Sequence, residues 1–271
     1  MIRKLLLEAV LVATSIVSLL GQTQSEQKLF AFEVASIKPN TSGTTAMRIN
    51  WPRGRFTAVN VTTREFVQAA YKLEPFRLDG GPGWFNADRF NVEATLPANT
   101  VIAQARGMPD AIRAMMQALL LDRFMFRAHW EQRQQTVYDL VLAKRNGQFG
   151  PNLQKSHADC DAVLAAARAG RPAPTPSQCR VQRAPGKIVA DGYFMAQVAD
   201  TLASLLQQTV TDHTGLVGRY DIDLTWAVDP TTDSGASLFT ALQEQLGLKL
   251  ESTKAPVAVL VIDHVERPTP D

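Results

Sequence analysis

The sequence predicts an α+β protein built from two tandem copies of a small βαβαββ-type unit, with mainly antiparallel sheets and helices packed on one face. Three observations predict this class. Two distant stretches, "DRFNVEATL" (88–96) and "GRYDIDLTW" (218–226), both place a basic residue and an aromatic residue before an alternating run. A helical pattern precedes each stretch, and another follows it. Because residues i and i+2 share one face of a strand, each stretch presents one apolar face that a helix can cover.

The first half of each copy joins a strand to a helix. Residues 54–71 and 186–203 both begin with glycine, a basic residue and an apolar residue, and both then change to helical spacing. Thr62 and Glu65 match the S/T-x-x-E capping box, which predicts that a helix begins after Thr62. "GGPGW" (80–84) predicts a tight turn before the first alternating stretch.

The second half of each copy is predicted to hold an amphipathic helix and two strands. Apolar residues recur at helical spacing from Ile112 to Leu120. In the second copy Ser237 is a suitable N-cap, and Gly247 is a suitable residue to end the helix. The strands that follow are predicted to pair as hairpins, 124–130 with 137–143 and 248–252 with 257–264.

The predicted domain organisation has four parts: a signal peptide at 1–23, a first α+β unit at 30–149, a Pro/Ala-rich insert at 150–185 and a second α+β unit at 186–268. "FEVASIK" (32–38) resembles the alternating stretches. It is predicted to be an extra N-terminal strand, either at a sheet edge or exchanged with a partner. The order of elements implies an internal duplication.

The N-terminus has the layout of a secretory signal peptide. Arg3 and Lys4 precede a mostly apolar run at 5–20, and small polar residues follow it. Glu8 lies inside the run and no A-x-A sequence marks a cleavage site, so an uncleaved anchor stays open as the alternative. We expect a secreted or periplasmic protein that contacts a membrane only through this leader, if the leader is uncleaved.

The chain has two cysteines, Cys160 and Cys179. In an exported protein an even number of cysteines favours a disulfide. Two free thiols or a redox pair are the alternatives, although no C-x-x-C motif supports redox chemistry. We therefore predict a disulfide within the insert.

Composition and charge exclude several function classes. The chain has 271 residues, of which 45% are hydrophobic, which suits a globular protein with a sizeable core. Its formal net charge is +2 and no Lys/Arg run exceeds two residues, so we expect no nucleic-acid partner. His157 and Cys160 lack a second ligand pair at zinc spacing, and no P-loop, dinucleotide or calcium motif occurs. We predict neither a metal nor a cofactor.

Two carboxylates form the first candidate binding site. Asp221 and Asp223 share one face of a predicted strand, with Cα atoms about 6.6 Å apart. Paired carboxylates can serve glycoside hydrolysis. The corresponding residues of the first copy, Asn91 and Glu93, suit a solvated sheet face better than a catalytic pair, and we favour that interpretation.

Four further residues are candidates for ligand binding. Arg127 and His129 lie on the polar face of a predicted strand, and His264 lies near the end of the chain beside other charged residues. Trp84, next to flexible backbone in "GGPGW", could stack on a sugar or a peptide. For Trp84 the interpretation that we favour is a tight turn whose indole covers the core. No catalytic residue is predicted.

Several motifs together resemble a known family: "FEVASIKPN", "GGPGW", "DRF", "TGLVGRYDIDLTW", "FTALQEQLGLKLE" and "VLVIDHVERP". They are similar to motifs of the soil-associated protein family, an exported domain of unknown function with many copies in certain soil bacteria. The resemblance extends from about Phe30 to Pro268. It implies a secreted or periplasmic protein with no assigned activity, and it supplies no catalytic residues. Similar domains fused to membrane metallopeptidases of the antibiotic-sensor type imply a link to envelope sensing.

The function that we expect is that of a non-enzymatic cell-envelope module that binds a protein, a peptide or a glycan. Export, duplication and the weakness of every catalytic pattern favour it. A secreted hydrolase with a site between the two units is the first alternative, with Asp221, Asp223, His213 and His264 as its candidate residues. A periplasmic sensor or regulatory domain linked to an envelope or antibiotic response is the second.

Overall fold

The computed structural model describes residues 31–44, 46–52, 54–98, 100, 107–144, 147–168, 179–229 and 235–269. They form two compact units. Unit 1 takes its residues from Met1–Glu131 and Ala258–Asp271, and unit 2 takes its residues from Gln132–Val257. The predicted leader at 1–23 and the middle of the predicted insert, 169–178, lie outside the described residues.

Unit 1 contains an antiparallel sheet with strand order β1-β5-β3-β2, and helices α1 to α3. Its elements are β1 (Val34–Pro39), β2 (Arg48–Asn50), β3 (Arg55–Thr62), α1 (Thr63–Tyr71), β4 (Leu78–Asp79), α2 (Gly83–Ala87), β5 (Arg89–Thr95), α3 (Asp110–Arg123) and the start of β6 (Arg127–Leu142). The capping box begins α1 as predicted: Thr62 Oγ1 accepts from the backbone N–H of Glu65, and Glu65 Oε2 accepts from that of Thr62.

The core of unit 1 lies between the sheet and the helices. The apolar face of β5 is buried as the alternation predicts, and so is the stripe of α3. These residues are Phe90, Val92, Ala94, Ile112, Met115, Met116, Leu119 and Leu120. At the rim of the core, burial raises the pKa of the Tyr71 phenol, whose ring lies 5.9 Å from that of Phe126.

Unit 2 contains an antiparallel sheet with strand order β7-β11-β9-β8. Its elements are the rest of β6, β7 (Leu153–Lys155), α4 (Cys160–Arg168), β8 (Val181–Ala184), β9 (Lys187–Tyr193), α5 (Met195–Leu206), β10 (Val210–Asp212), β11 (Tyr220–Thr225), α6 (Leu238–Ala241) and most of β12 (Leu248–His264). Helix α6 continues as one π-helical turn to Leu246. Ser237 caps its start and Gly247 ends the turn, as predicted.

The α+β class is confirmed, with helices and mainly antiparallel strands. The two sheets also share one order in the chain. In each sheet the first two strands lie at the edges, the third precedes a helix, and the last of the four lies beside the third. In unit 1, β4 pairs in parallel with the end of β12, and in unit 2, β10 pairs in parallel with β6. This is the order that a duplication requires, and the duplication itself stays a prediction.

The predicted hairpins are wrong. Residues 127–142 and 248–264 are each one continuous strand, β6 and β12. The polar residues in the middle of each strand suggested turns, but 131–136 contains no glycine, proline or asparagine to form one. The polar side chains at 131–136 are exposed or partly exposed to solvent, and the strand continues through them.

The predicted insert contributes to the sheet of unit 2. Its residues form both edge strands, β7 and β8, and helix α4. The predicted disulfide is confirmed, with Cys160 and Cys179 joined at a Cα–Cα distance of 5.5 Å. The "FEVASIK" stretch supplies β1 at a sheet edge, the first of its two predicted placements. Among the described residues no helix has the length and apolar character needed to cross a membrane.

We expect the paired substitution Cys160→Ala and Cys179→Ala to lower the free energy of unfolding by about 3 kcal/mol. The disulfide closes a loop in the unfolded chain, and closing a loop of this length lowers the entropy of the unfolded chain by about that amount. The residues lie 19 apart in sequence. Urea denaturation followed by circular dichroism measures the change. An unchanged midpoint would show that the bond contributes nothing to stability.

Candidate functional site

A β-bulge in unit 1 is the centre of the candidate site. Ala58 lies opposite Val92 and Val61 lies opposite Phe90, so Val59 and Asn60 together face the single residue Asn91. Asn60 adopts the left-handed conformation, with φ +59°, and is only 2% exposed. A non-glycine residue in this conformation at a bulge commonly marks a functional site.

Two side chains of β5 hold the Asn60 bulge. Asn91 Oδ1 accepts from the backbone N–H of Asn60 at 3.0 Å, and Arg89 donates to the Asn60 carbonyl oxygen at 2.7 Å. The same Arg89 nitrogen also lies 3.4 Å from Glu65 Oε2 of α1. The bulge is therefore fixed from both its amide and its carbonyl group.

Unit 2 contains the same arrangement. Asp191 and Gly192 face the single residue Asp221, and Gly192 has φ +69°. Asp221 Oδ1 accepts from the backbone N–H of Gly192 at 2.8 Å, and Arg219 donates to the Gly192 carbonyl oxygen at 2.7 Å. Arg219 also donates to Asp161 at 3.1 Å. The repeated strand motif, an arginine two residues before an Asn or Asp, thus holds a bulge in each unit.

The surroundings of the two bulges differ. At Gly192 a Cβ atom would lie 2.4 Å from Cys160 Sγ, so the disulfide segment covers this bulge. Asn60 instead carries a side chain whose Nδ2 donates to the carbonyl oxygens of Thr44, at 2.8 Å, and Ala46, at 3.0 Å. The unit 1 bulge therefore holds Thr44 and Ala46, which lie between β1 and β2, in place.

The segment after β1 and the Asn60 bulge line an open pocket of about 700 Å³. Its walls come from three segments, residues 39–44, residues 87–90 and the chain end near Arg267, together with Asn60. Within the first segment Asn40 Nδ2 donates to Asn91 Oδ1 at 2.7 Å, and Asn40 Oδ1 accepts from the backbone N–H of Ser42 at 2.9 Å. Hydrogen bonds to the bulge thus set the shape of this wall.

Arg267 also lines the pocket. Its Nε donates to Asp88 Oδ2 at 2.8 Å, and its guanidinium carbon lies 5.1 Å from the centre of the Trp84 ring. The predicted binding residue Trp84 is therefore next to the pocket and supports a residue that lines it. Trp84 also packs against the core of unit 1, as the favoured interpretation of "GGPGW" expects.

The other candidates of unit 1 lie on the exposed strands. His129 Nδ1 is 2.8 Å from Asp263 Oδ1, and His264 Nε2 is 2.8 Å from Glu266 Oε1. Arg127 is exposed at the start of β6. None of the three predicted residues lines the pocket, and their role in binding stays a prediction.

The carboxylate pair of unit 2 has separate partners. Asp221 holds the Gly192 amide, whereas Asp223 lies 4.0 Å from Lys187. His213, a candidate of the hydrolase alternative, lies 3.1 Å from Asp139. Hydrogen bonding to the bulge explains Asp221 without a catalytic role. Among the residues that the structure describes, no three His, Cys, Asp or Glu side chains cluster in a way that could hold a metal ion.

Comparison with known proteins gives one match. A family model described as a protein of unknown function, DUF3738, matches residues 64–265. The chain belongs to the DUF3738 family. Searches of curated proteins and of solved structures give no significant match. The DUF3738 match contains Asp88, Arg89 and both residues that hold the unit 2 bulge, whereas Asn40 and Asn60 precede it.

Sequence reasoning missed the main pocket residues, Asn40, Asn60, Asp88 and Arg267. One signal was present for Asn60: an asparagine interrupts the apolar strand "FTAVNVT" at a position where strands disfavour it. The repeated arginine of "DRF" and "GRY" was a second signal. Arg267 gave none, because its neighbours in the pocket are distant in the sequence.

Proposed function

We propose that the protein is an exported, non-enzymatic module of the bacterial cell envelope that binds a small polar ligand in the unit 1 pocket. The pocket itself carries the proposal. Its volume of about 700 Å³ falls within the range of small-molecule sites, and it presents amide, hydroxyl and guanidinium groups. The leader-like N-terminus, the disulfide and the resemblance to exported proteins of soil bacteria support export.

The conformation of Asn60 supports a functional role for the pocket. Its Oδ1 atom is buried and has no hydrogen-bond partner among the described residues. An unpaired buried acceptor costs about 1–3 kcal/mol, and the left-handed backbone adds to that cost. Asn60 retains an unpaired acceptor and a left-handed backbone at the wall of an open pocket. This fits selection for binding better than selection for stability.

Ala87→Trp is expected to weaken ligand capture at least about tenfold, because an indole at this exposed lining position fills the pocket. Asn86→Trp is the matched control, since Asn86 is the preceding exposed residue of α2 and does not line the pocket. The measurement is native mass spectrometry of each purified protein after incubation with the low-molecular-mass fraction of a bacterial envelope hydrolysate.

The proposal requires a bound species that the wild type and Asn86→Trp retain and that Ala87→Trp loses. Equal retention by both tryptophan variants would place binding elsewhere on the molecule. Absence of any bound species from the wild type would contradict the binding function. Circular dichroism melting curves show whether both variants fold.

A further inference from the structure

Arg267 is oriented in a way that leaves its terminal nitrogens available. Asp88 engages only Nε, at 2.8 Å, and the Trp84 ring lies against the guanidinium group. Neither Nη1 nor Nη2 of Arg267 makes a hydrogen bond to any residue that the structure describes. The Arg267 side chain is 61% exposed. The two Nη groups form a planar fork at the pocket wall that can donate two parallel hydrogen bonds.

The charged side chains of the pocket lining favour a ligand with a single negative charge. The ionised side chains that line it are Arg89, Arg267 and Asp88, two positive charges and one negative charge, and Glu65, which pairs with Arg89 from α1, does not line the pocket. A ligand with one negative charge balances this lining. A phosphate monoester carries about −1.5 to −2 at neutral pH and would place its excess charge near Asp88. A carboxylate therefore fits the lining better.

Arg89 adds a second guanidinium group that the bulge holds in place. Its Nη1 donates to the Asn60 carbonyl oxygen, and the side chain reaches Glu65 through the same nitrogen. Because Arg89 and Asn60 both line the pocket, the bulge positions part of the positively charged surface. Thr41 adds polar surface on the loop side, where a ligand hydroxyl or amide can bind.

We infer that the unit 1 pocket binds a small organic acid, of disaccharide or short-peptide size, whose carboxylate accepts a bidentate pair of hydrogen bonds from Arg267. This inference rests on the proposed ligand pocket and specifies the chemistry of its ligand. The carboxylate can belong to an acidic sugar or to a peptide C-terminus. Asp88 and Trp84 act as positioning residues, because they orient the guanidinium group.

The test is a ¹H–¹⁵N NMR titration of the full chain with four probes in two matched pairs. Glucuronic acid is compared with glucose, and N-acetyl-alanyl-alanine is compared with its C-terminal amide. Each probe is added to about 20 mM, which detects the weak binding expected of fragments. At least one acid is expected to shift the backbone amides of Thr41, Thr44 and Asp88, and its neutral partner is not. The pair that responds identifies the source of the carboxylate.

Arg267→Gln is expected to weaken acid binding about tenfold, because it removes the charged donors. Arg267→Lys keeps the charge without the fork and is expected to weaken binding less. Unchanged affinity in Arg267→Gln would overturn the inference, and so would the absence of pocket shifts with both acids. Equal binding of an acid and its neutral partner would also overturn it, while leaving the pocket as a ligand site. The capture experiment with Ala87→Trp decides the proposed function separately.

Discussion

Replacing Gly192 with alanine is expected to lower the free energy of unfolding by about 3 kcal/mol or more. Two costs add. At φ +69° an L-residue is strained, and the new Cβ would lie 2.4 Å from Cys160 Sγ. Because the sulfur is tied into a disulfide, it cannot move away freely. Urea denaturation of the purified variant measures the loss.

Gly215→Ala separates the two costs. Gly215 also has φ +69°, but a Cβ atom there would meet nothing within 4 Å. Its substitution is expected to cost only the conformational part, about 1–2 kcal/mol. In a background with Cys160→Ala and Cys179→Ala, the cost of Gly192→Ala is expected to fall toward that of Gly215→Ala. Equal costs at Gly192 and Gly215 in the wild-type background would refute contact with the disulfide as the cause.

Arg219→Met is the second substitution with a large expected effect, a destabilisation of about 2–4 kcal/mol. The Arg219 side chain is 14% exposed, donates to the Gly192 carbonyl oxygen and to Asp161, and lies 4.3 Å from the centre of the Phe194 ring. Methionine keeps much of the packing volume but leaves the bulge carbonyl group without this donor. The free energy of unfolding from urea denaturation reports the loss.

Arg180→Met is the matched control in the same region. Arg180 is 59% exposed and lies 3.9 Å from Asp191, so its loss is expected to cost no more than about 1 kcal/mol. Similar destabilisation in both variants would mean that Arg219 has no special role at the bulge. A large loss in Arg219→Met alone identifies the arginine of the repeated motif as the residue that holds it.

Much of the fold follows from local sequence pattern. Alternation predicts the buried faces of β5 and β11, because a strand covered on one side needs apolar residues at every second position. Helical spacing predicts the stripe of α3, and Thr62 with Glu65 predicts the start of α1. These features depend on residues close together in the chain, and the structure contains each of them.

The bulges could not be predicted in the same way. A bulge is defined by the register between two strands, and the register of β3 against β5 is not encoded in either strand alone. From the sequence, the polar position of Asp221 therefore predicts only a binding residue. Its hydrogen bond to the Gly192 amide depends on the register of β9 against β11.

The pocket was beyond prediction for a related reason. Asn40, Asp88 and Arg267 come from three distant parts of the chain, and none has a spacing that identifies a site. Trp84 is the one predicted binding residue that lies near the pocket. It is a candidate because the glycine-rich turn before it indicates an unusual local structure. The long strands were missed since exposed polar residues resemble turns when no partner strand is visible.

The two bulges share one backbone arrangement, yet only the bulge at Asn60 lines the open pocket that we assign to a ligand. The most direct measurement is backbone amide mapping by NMR of the wild type with the species captured from the envelope hydrolysate. We expect shifts confined to residues 40–44, Asn60, residues 87–90 and Arg267. Shifts centred on Gly192 and Asp221, with the unit 1 pocket unperturbed, would contradict it.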